Sequence, residues 1–193
     1  MTATPRMIAF IVTMGALGNV LAAITIVPTL IKQVALDFSA IPVLIAAVFG
    51  GPFVGAVTGL IAGFLPSIFF GFIGGQLGFL GFSTSIGKAL HGLTVGLLVQ
   101  WLKPIEKRTI LLFPIVLIGF IPECIWIALV FSVFVPLLIP QSAFLAAFLV
   151  PILAKAWFEV AVMGAFMSAL VGHNGFKNFV YAHLPSFGLA KRD

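Results

Sequence analysis

Charged side chains are too rare in this chain to cover a surface in water. They make up 8% of its residues while 62% are hydrophobic, against about 25% charged in an ordinary soluble domain. Lipid is therefore the solvent that this sequence requires. A length of 193 residues suits a single membrane domain. The apolar run after Arg6 continues past about 18 residues and lacks a small-residue cleavage site, so it reads as a first spanning helix and not a removable signal.

Apolar runs separated by Pro, Gly or charged breaks predict an all-α integral membrane protein of six transmembrane helices, over residues 7–27, 38–49, 52–70, 84–102, 109–135 and 142–171. The second is short; Asp37 or Ser39 could cap it, and Pro42 is tolerated in its first turn. Gly50-Gly51-Pro52 makes a tight turn, and a Phe- and Gly-rich stretch containing Gln76 joins the third helix to the fourth. Pro114 and Pro122 lie inside the fifth helix and Pro151 inside the sixth, with a mixed interfacial tail after Gly172. Arg6, Lys103, Lys107, Arg108, Lys177, Lys191 and Arg192 fall on one side and Lys32 alone on the other. The positive-inside rule then places both termini in the cytoplasm of a plasma-membrane protein, which requires an even number of helices. The same loops account for the net charge of +5 without any nucleic-acid partner.

Two small-residue patterns bear on packing. Gly51, Gly55, Gly59 and Gly63 line one face of the third helix, where a neighbouring backbone can approach closely. Packing inside one bundle is the ordinary reading and an oligomer interface the sharper one. Ala9, Thr13 and Ala16 form a small-residue stripe on the first helix, for packing or for a partner protein. Cys124 is the one cysteine, which excludes an intrachain disulfide and a cysteine metal cluster.

Ionisable residues inside the predicted spans carry the functional argument, because a charge at the centre of a spanning helix costs about 2.5–3.5 kcal/mol on insertion scales. Lys88 and His91 lie one turn apart on the fourth helix, with Thr84 on the same face. Glu123 lies inside the fifth helix with Trp126 one turn further on, and Lys155 and Glu159 are spaced for contact on the sixth. Each has a plain alternative. Lys88 could snorkel to the surface, His91 could be a satisfied core histidine, Lys155 and Glu159 could pair with each other, and Trp126 could simply pack. Glu123 has no opposite charge within a turn, so its partner must come from another helix or a ligand. Three of the predicted helices carry these groups while the first and third have none inside. That concentration argues for one shared polar cavity, open to the outside, whose mixed-sign lining suits a small solute with both anionic and cationic or hydrogen-bonding groups. Asp37 and Gln76, in the two loops of that outer side, are the candidate gating residues.

No phosphate-binding loop, His-Glu-x-x-His motif, Gly-x-Ser-x-Gly elbow or potassium-filter sequence is present, so neither an enzyme, a metal centre nor a cofactor site is expected.

The segment Leu36 to Leu65, with Asp37, Ser39, Pro42, Gly51, Pro52, Gly55 and Gly59, together with Met14 to Gly18, resembles the substrate-binding membrane subunits (S-components) of energy-coupling-factor (ECF) transporters. The resemblance implies high-affinity capture of a water-soluble vitamin or related micronutrient, and its delivery across the membrane by an ATP-driven importer. It implies a pocket lined by Lys88, His91, Glu123, Trp126, Lys155 and Glu159, with Glu159 serving either the pocket or a docking surface. It also implies a transmembrane scaffold subunit and two cytosolic ATPases as partners, docked through Ala9, Thr13 and Ala16. The family's alanine pair, four apart on the first helix, is absent here. A self-sufficient secondary transporter or channel is the alternative, and a membrane enzyme or assembly factor a third.

Overall fold

The computed structural model describes residues 4–26, 37–73, 77–103, 108–139 and 147–183. Among them every regular element is a helix. Helix α1 is Pro5–Ile26, α2 is Ala40–Gly50 and α3 is Pro52–Ala62. Helix α4, Phe64–Ile68, runs into a π-helical turn, Phe69–Ile73, and a 3-10 turn, Gly78–Phe82, leads into α5, Ser83–Leu102. A short 3-10 turn, Thr109–Leu111, opens a kinked helix made of α6, Leu112–Gly119, α7, Ile121–Leu129, a second π-helical turn, Val130–Phe134, and α8, Val135–Leu138. Helix α9 is Leu149–Gly172 and α10 is Asn174–His183.

The turn between α2 and α3 needs glycine. Gly51 has φ 86°, a left-handed conformation that a Cβ disfavours, and Pro52 then starts α3 at a position where no amide hydrogen is required. The glycine strip of α3 faces α5 of the same chain. A Cβ at Gly55 would lie 2.6 Å from the Gly92 carbonyl oxygen, one at Gly59 2.5 Å from that of Lys88, and one at Gly96 would lie 2.5 Å from the Pro52 Cα. The two helices thus run backbone against backbone over their length, which only hydrogen-sized side chains permit. The strip serves the bundle itself.

Helix α3 breaks at Gly63 and continues as α4 at an angle of about 40°. Asn19 of α1 holds this bend: its side-chain amide donates to the carbonyls of Gly15 and Ile61 at 3.0 and 2.8 Å, and its Oδ1 accepts the Leu65 N–H at 2.7 Å. A break in a helix within lipid frees backbone groups that water cannot satisfy, and this amide satisfies them.

The span count differs from the six expected. Among the described residues three helical stretches, Pro5–Ile26, Thr109–Leu138 and Leu149–Gly172, are long and apolar enough to cross a bilayer, and a fourth if the bent α3–α4 segment is taken as one. Helix α2 has 11 residues, about 16 Å at ~1.5 Å each, and cannot cross an apolar layer of ~30 Å alone. It starts at Ala40 and is buried along almost its whole length among the other helices. The last long helix is described as Leu149–Gly172, and its expected start near residue 142 lies outside the described residues.

The start of α1 and the end of α9 lie at one end of the bundle. Met7 and Ile11 pack on Ala46 and Val54 near the Gly51 turn, the rings of Phe49 and Phe176 lie 5.9 Å apart, and Gly172 adjoins the Thr109 hydroxyl. Arg6, Lys103, Arg108 and Lys177 belong to this end. The opposite half of the bundle contains the cavity.

Candidate functional site

Helices α5, α7 and α9 each bring ionisable side chains to one partly open cavity. Lys88, His91, Glu123, Lys155 and Glu159 all line the same cavity, joined by Asp37 from the segment ahead of α2. Phe70, Leu77, Phe131 and Phe148 form apolar wall toward the far end, and Phe120, Val160 and Met163 lie toward the bundle core. The space available to the centres of water molecules is about 130 Å³. One water needs roughly 10–15 Å³ on that measure, so the cavity accommodates a small organic solute.

The polar groups form a connected set. Lys88 Nζ pairs with Asp37 Oδ2 at 2.8 Å, while Asp37 Oδ1 accepts the Ser39 N–H at 2.9 Å. The Asp37 N–H donates to Glu159 Oε1 at 2.5 Å, and Glu159 Oε2 pairs with Lys155 Nζ at 3.0 Å. The start of α2 is thereby fastened to α5 and α9 together. On the other wall, His91 Nδ1 lies 3.3 Å from Glu123 Oε2, and His91 Nε2 lies 3.2 Å from the Val116 carbonyl oxygen. Gly87 leaves the room for Glu123: a Cβ there would lie 3.1 Å from its Oε1. Exposure of Lys88, His91, Glu123 and Glu159 is 5%, 1%, 9% and 4%, so each is removed from lipid and tolerable only through these partners.

Several alternatives are decided. Lys88 does not snorkel; it turns inward to Asp37. Lys155 and Glu159 do pair with each other, yet both also face the cavity. Glu123 finds its partner on a neighbouring helix. Trp126 stands behind the cavity wall: its indole N–H donates to the Ser83 carbonyl at 2.9 Å and its ring meets Phe134 edge-on at 6.0 Å. Replacing Trp126 with Phe is expected to cost about 1 kcal/mol of stability, the worth of one such bond, with no more than a twofold change in the affinity of any cavity ligand; a tenfold loss measured by calorimetry would return Trp126 to the wall.

Of the two gating residues, Asp37 bridges two helices, and Gln76 lies outside the described residues. Ala9, Thr13 and Ala16 are exposed on α1. Among the described residues no three His, Cys, Asp or Glu side chains cluster as a metal site would require. Sequence alone places Asp37 in a loop or at a helix cap and does not reveal its pairing with Lys88. The available signal was that Asp37 is the only acidic residue ahead of Glu106, so a buried lysine in that half had one candidate.

Residues 2–170 match the family model described as 5TMR of 5TMR-LYT. No curated protein and no solved structure matches the chain. The family match overturns the resemblance to ECF S-components, and with it vitamin import, a scaffold subunit and cytosolic ATPases as partners, and scaffold docking through Ala9, Thr13 and Ala16. The physical reason is visible in the fold. The Gly-Pro turn and spaced glycines that carried the resemblance answer a packing need, the contact of α3 with α5, which any close-packed membrane bundle can share.

Proposed function

Because this chain belongs to the 5TMR-LYT family, a multi-pass membrane family, we propose that it is a sensory module that binds a small solute within the membrane and passes the event to a signalling kinase of the LytS type. The observation that carries this reading is the closed set of Asp37, Lys88, His91, Glu123, Lys155 and Glu159 around one cavity. Charges so deep in an apolar bundle are expensive, and a ligand site is the commonest return for them. The reading assigns binding and transmission to the chain, and no catalysis.

Five helical paths are of membrane length, α1, the bent α3–α4 segment, α5, the kinked α6–α8 segment and α9, all but α5 apolar enough to count as spans. Because Arg6 and Lys177 share one end, the short α2 carries the chain back between α1 and α3. Helix α2 lies among them as a buried partial return. The basic end, with Arg6, Lys103, Arg108 and Lys177, then faces the cytoplasm by the positive-inside rule, and the cavity lies in the outer half. One domain comprises the whole bundle. The latch from Asp37 to Lys88 and Glu159 connects the cavity to α2, and α2 reaches the Gly51 turn at the basic end. A ligand that competes for Lys88 or Glu159 would move α2 and alter that end.

The test is hydrogen exchange of the chain in lipid nanodiscs, screened with small organic cations, anions and neutral solutes. A ligand that protects the cavity helices should also change exchange at residues 44–52 and 172–180. Saturable binding that leaves both stretches unchanged would exclude a sensor.

A further inference from the structure

We infer that the cavity takes a small organic cation with an apolar body, and that the cation enters in exchange for one proton held between His91 and Glu123. The inference rests on the sensory reading above and specifies its ligand. It starts from hydrogen-bond direction. A carbonyl oxygen only accepts, so His91 Nε2, facing the Val116 carbonyl at 3.2 Å, carries a hydrogen. His91 Nδ1 faces Glu123 Oε2 at 3.3 Å. Two acceptors cannot bond to each other, so one further proton sits on Nδ1 or on the carboxyl. Either way the pair holds a proton beyond that of neutral histidine and free carboxylate, and the pair as a whole is uncharged.

The surrounding charges agree. Facing this pair are Lys88 of α5, Lys155 and Glu159 of α9, and Asp37 ahead of α2. Asp37 pairs with Lys88 and Glu159 with Lys155, so among the described residues Glu123 is the cavity carboxylate that pairs with a histidine and not with a lysine. Among the described residues three carboxylates stand against two ammonium groups, a balance that one more positive charge completes. A proton supplies it in the empty cavity. A ligand ammonium near Glu123 can supply it instead, since a carboxylate accepts several hydrogen bonds. The proton then leaves to water, one for each cation bound, and His91 is left neutral beside the carboxylate. An anion would add to the existing excess of carboxylate. The rest of the wall favours an apolar body: Phe70, Phe120, Phe131 and Phe148 present rings, and aromatic faces attract cations as well as apolar groups.

The test is titration calorimetry of the full chain in nanodiscs with benzylammonium, benzyl alcohol and benzoate. Each is run at one pH in two buffers of different ionisation enthalpy, which counts the protons exchanged. The expected result is that benzylammonium binds at least tenfold tighter than the other two and releases close to one proton. Glu123→Gln should lower its affinity at least tenfold. His91→Gln should retain binding with no proton released and with a flat pH profile. Tighter binding of benzoate, or benzylammonium binding without proton release in the unaltered chain, overturns the inference while leaving solute capture intact. If none of the three binds, the cation assignment fails; if no solute of the wider panel binds either, the sensory reading fails with it.

Discussion

Lys88→Met is expected to lower the stability of the bundle by about 3–5 kcal/mol, the usual loss when one partner of a buried ion pair is removed. The substitution keeps the unbranched stem and removes the ammonium, so the loss mainly reports charge. Asp37 would remain within the bundle at 7% exposure, with only the Ser39 N–H to satisfy it. Glu159 would lose a nearby positive charge as well. Asp37→Asn should cost less, because the amide keeps an oxygen for Ser39 and leaves Lys88 within reach of Glu123 and Glu159. The double variant should recover most of the loss, since two uncharged groups need no mutual compensation. Denaturant unfolding in detergent micelles provides the cycle. Additive single effects would mean that Asp37 and Lys88 are not energetically a pair.

Gly59→Ala and Gly92→Ala are expected to cost upward of about 2 kcal/mol each, at the upper part of the range for overpacking. In each case the added methyl meets backbone and not the end of a movable side chain: the Lys88 carbonyl for Gly59 and the Gly55 carbonyl for Gly92. Relief requires moving α5 away from α3 as a body. Because α5 carries Lys88 and His91, the same shift should loosen ligand binding. Gly172→Ala is the control. A Cβ there meets only the Thr109 hydroxyl at 3.3 Å, so the change should lie within about 0.5 kcal/mol, as is usual away from tightly packed sites. Thermal unfolding of the three variants in nanodiscs decides it; equal stability of Gly59→Ala and Gly172→Ala would show that α3 and α5 do not meet closely.

The reason that the six-span expectation failed is instructive. Hydropathy recognises that residues 38–49 are apolar, but apolar residues are equally suited to lipid and to the interior of a bundle. The length of α2 decides between them, and length depends on where Gly51 turns the chain. The resemblance to transporter subunits failed for a similar reason: spaced glycines specify close helix contact, and close contact does not specify function.

The sequence by itself determined the solvent and the helical class, and it singled out ionisable groups inside the helices that need partners. Those follow from the scarcity of charge and from the cost of burying Lys88, Glu123, Lys155 and Glu159, which hold for any arrangement of the chain. Only the tertiary structure decided which acid meets which base. Asp37 reaches Lys88 from far away in the sequence, and His91 reaches Glu123 from the neighbouring helix, because the approach of α3 to α5 and the folding of α2 between the long helices set distances that no local spacing encodes.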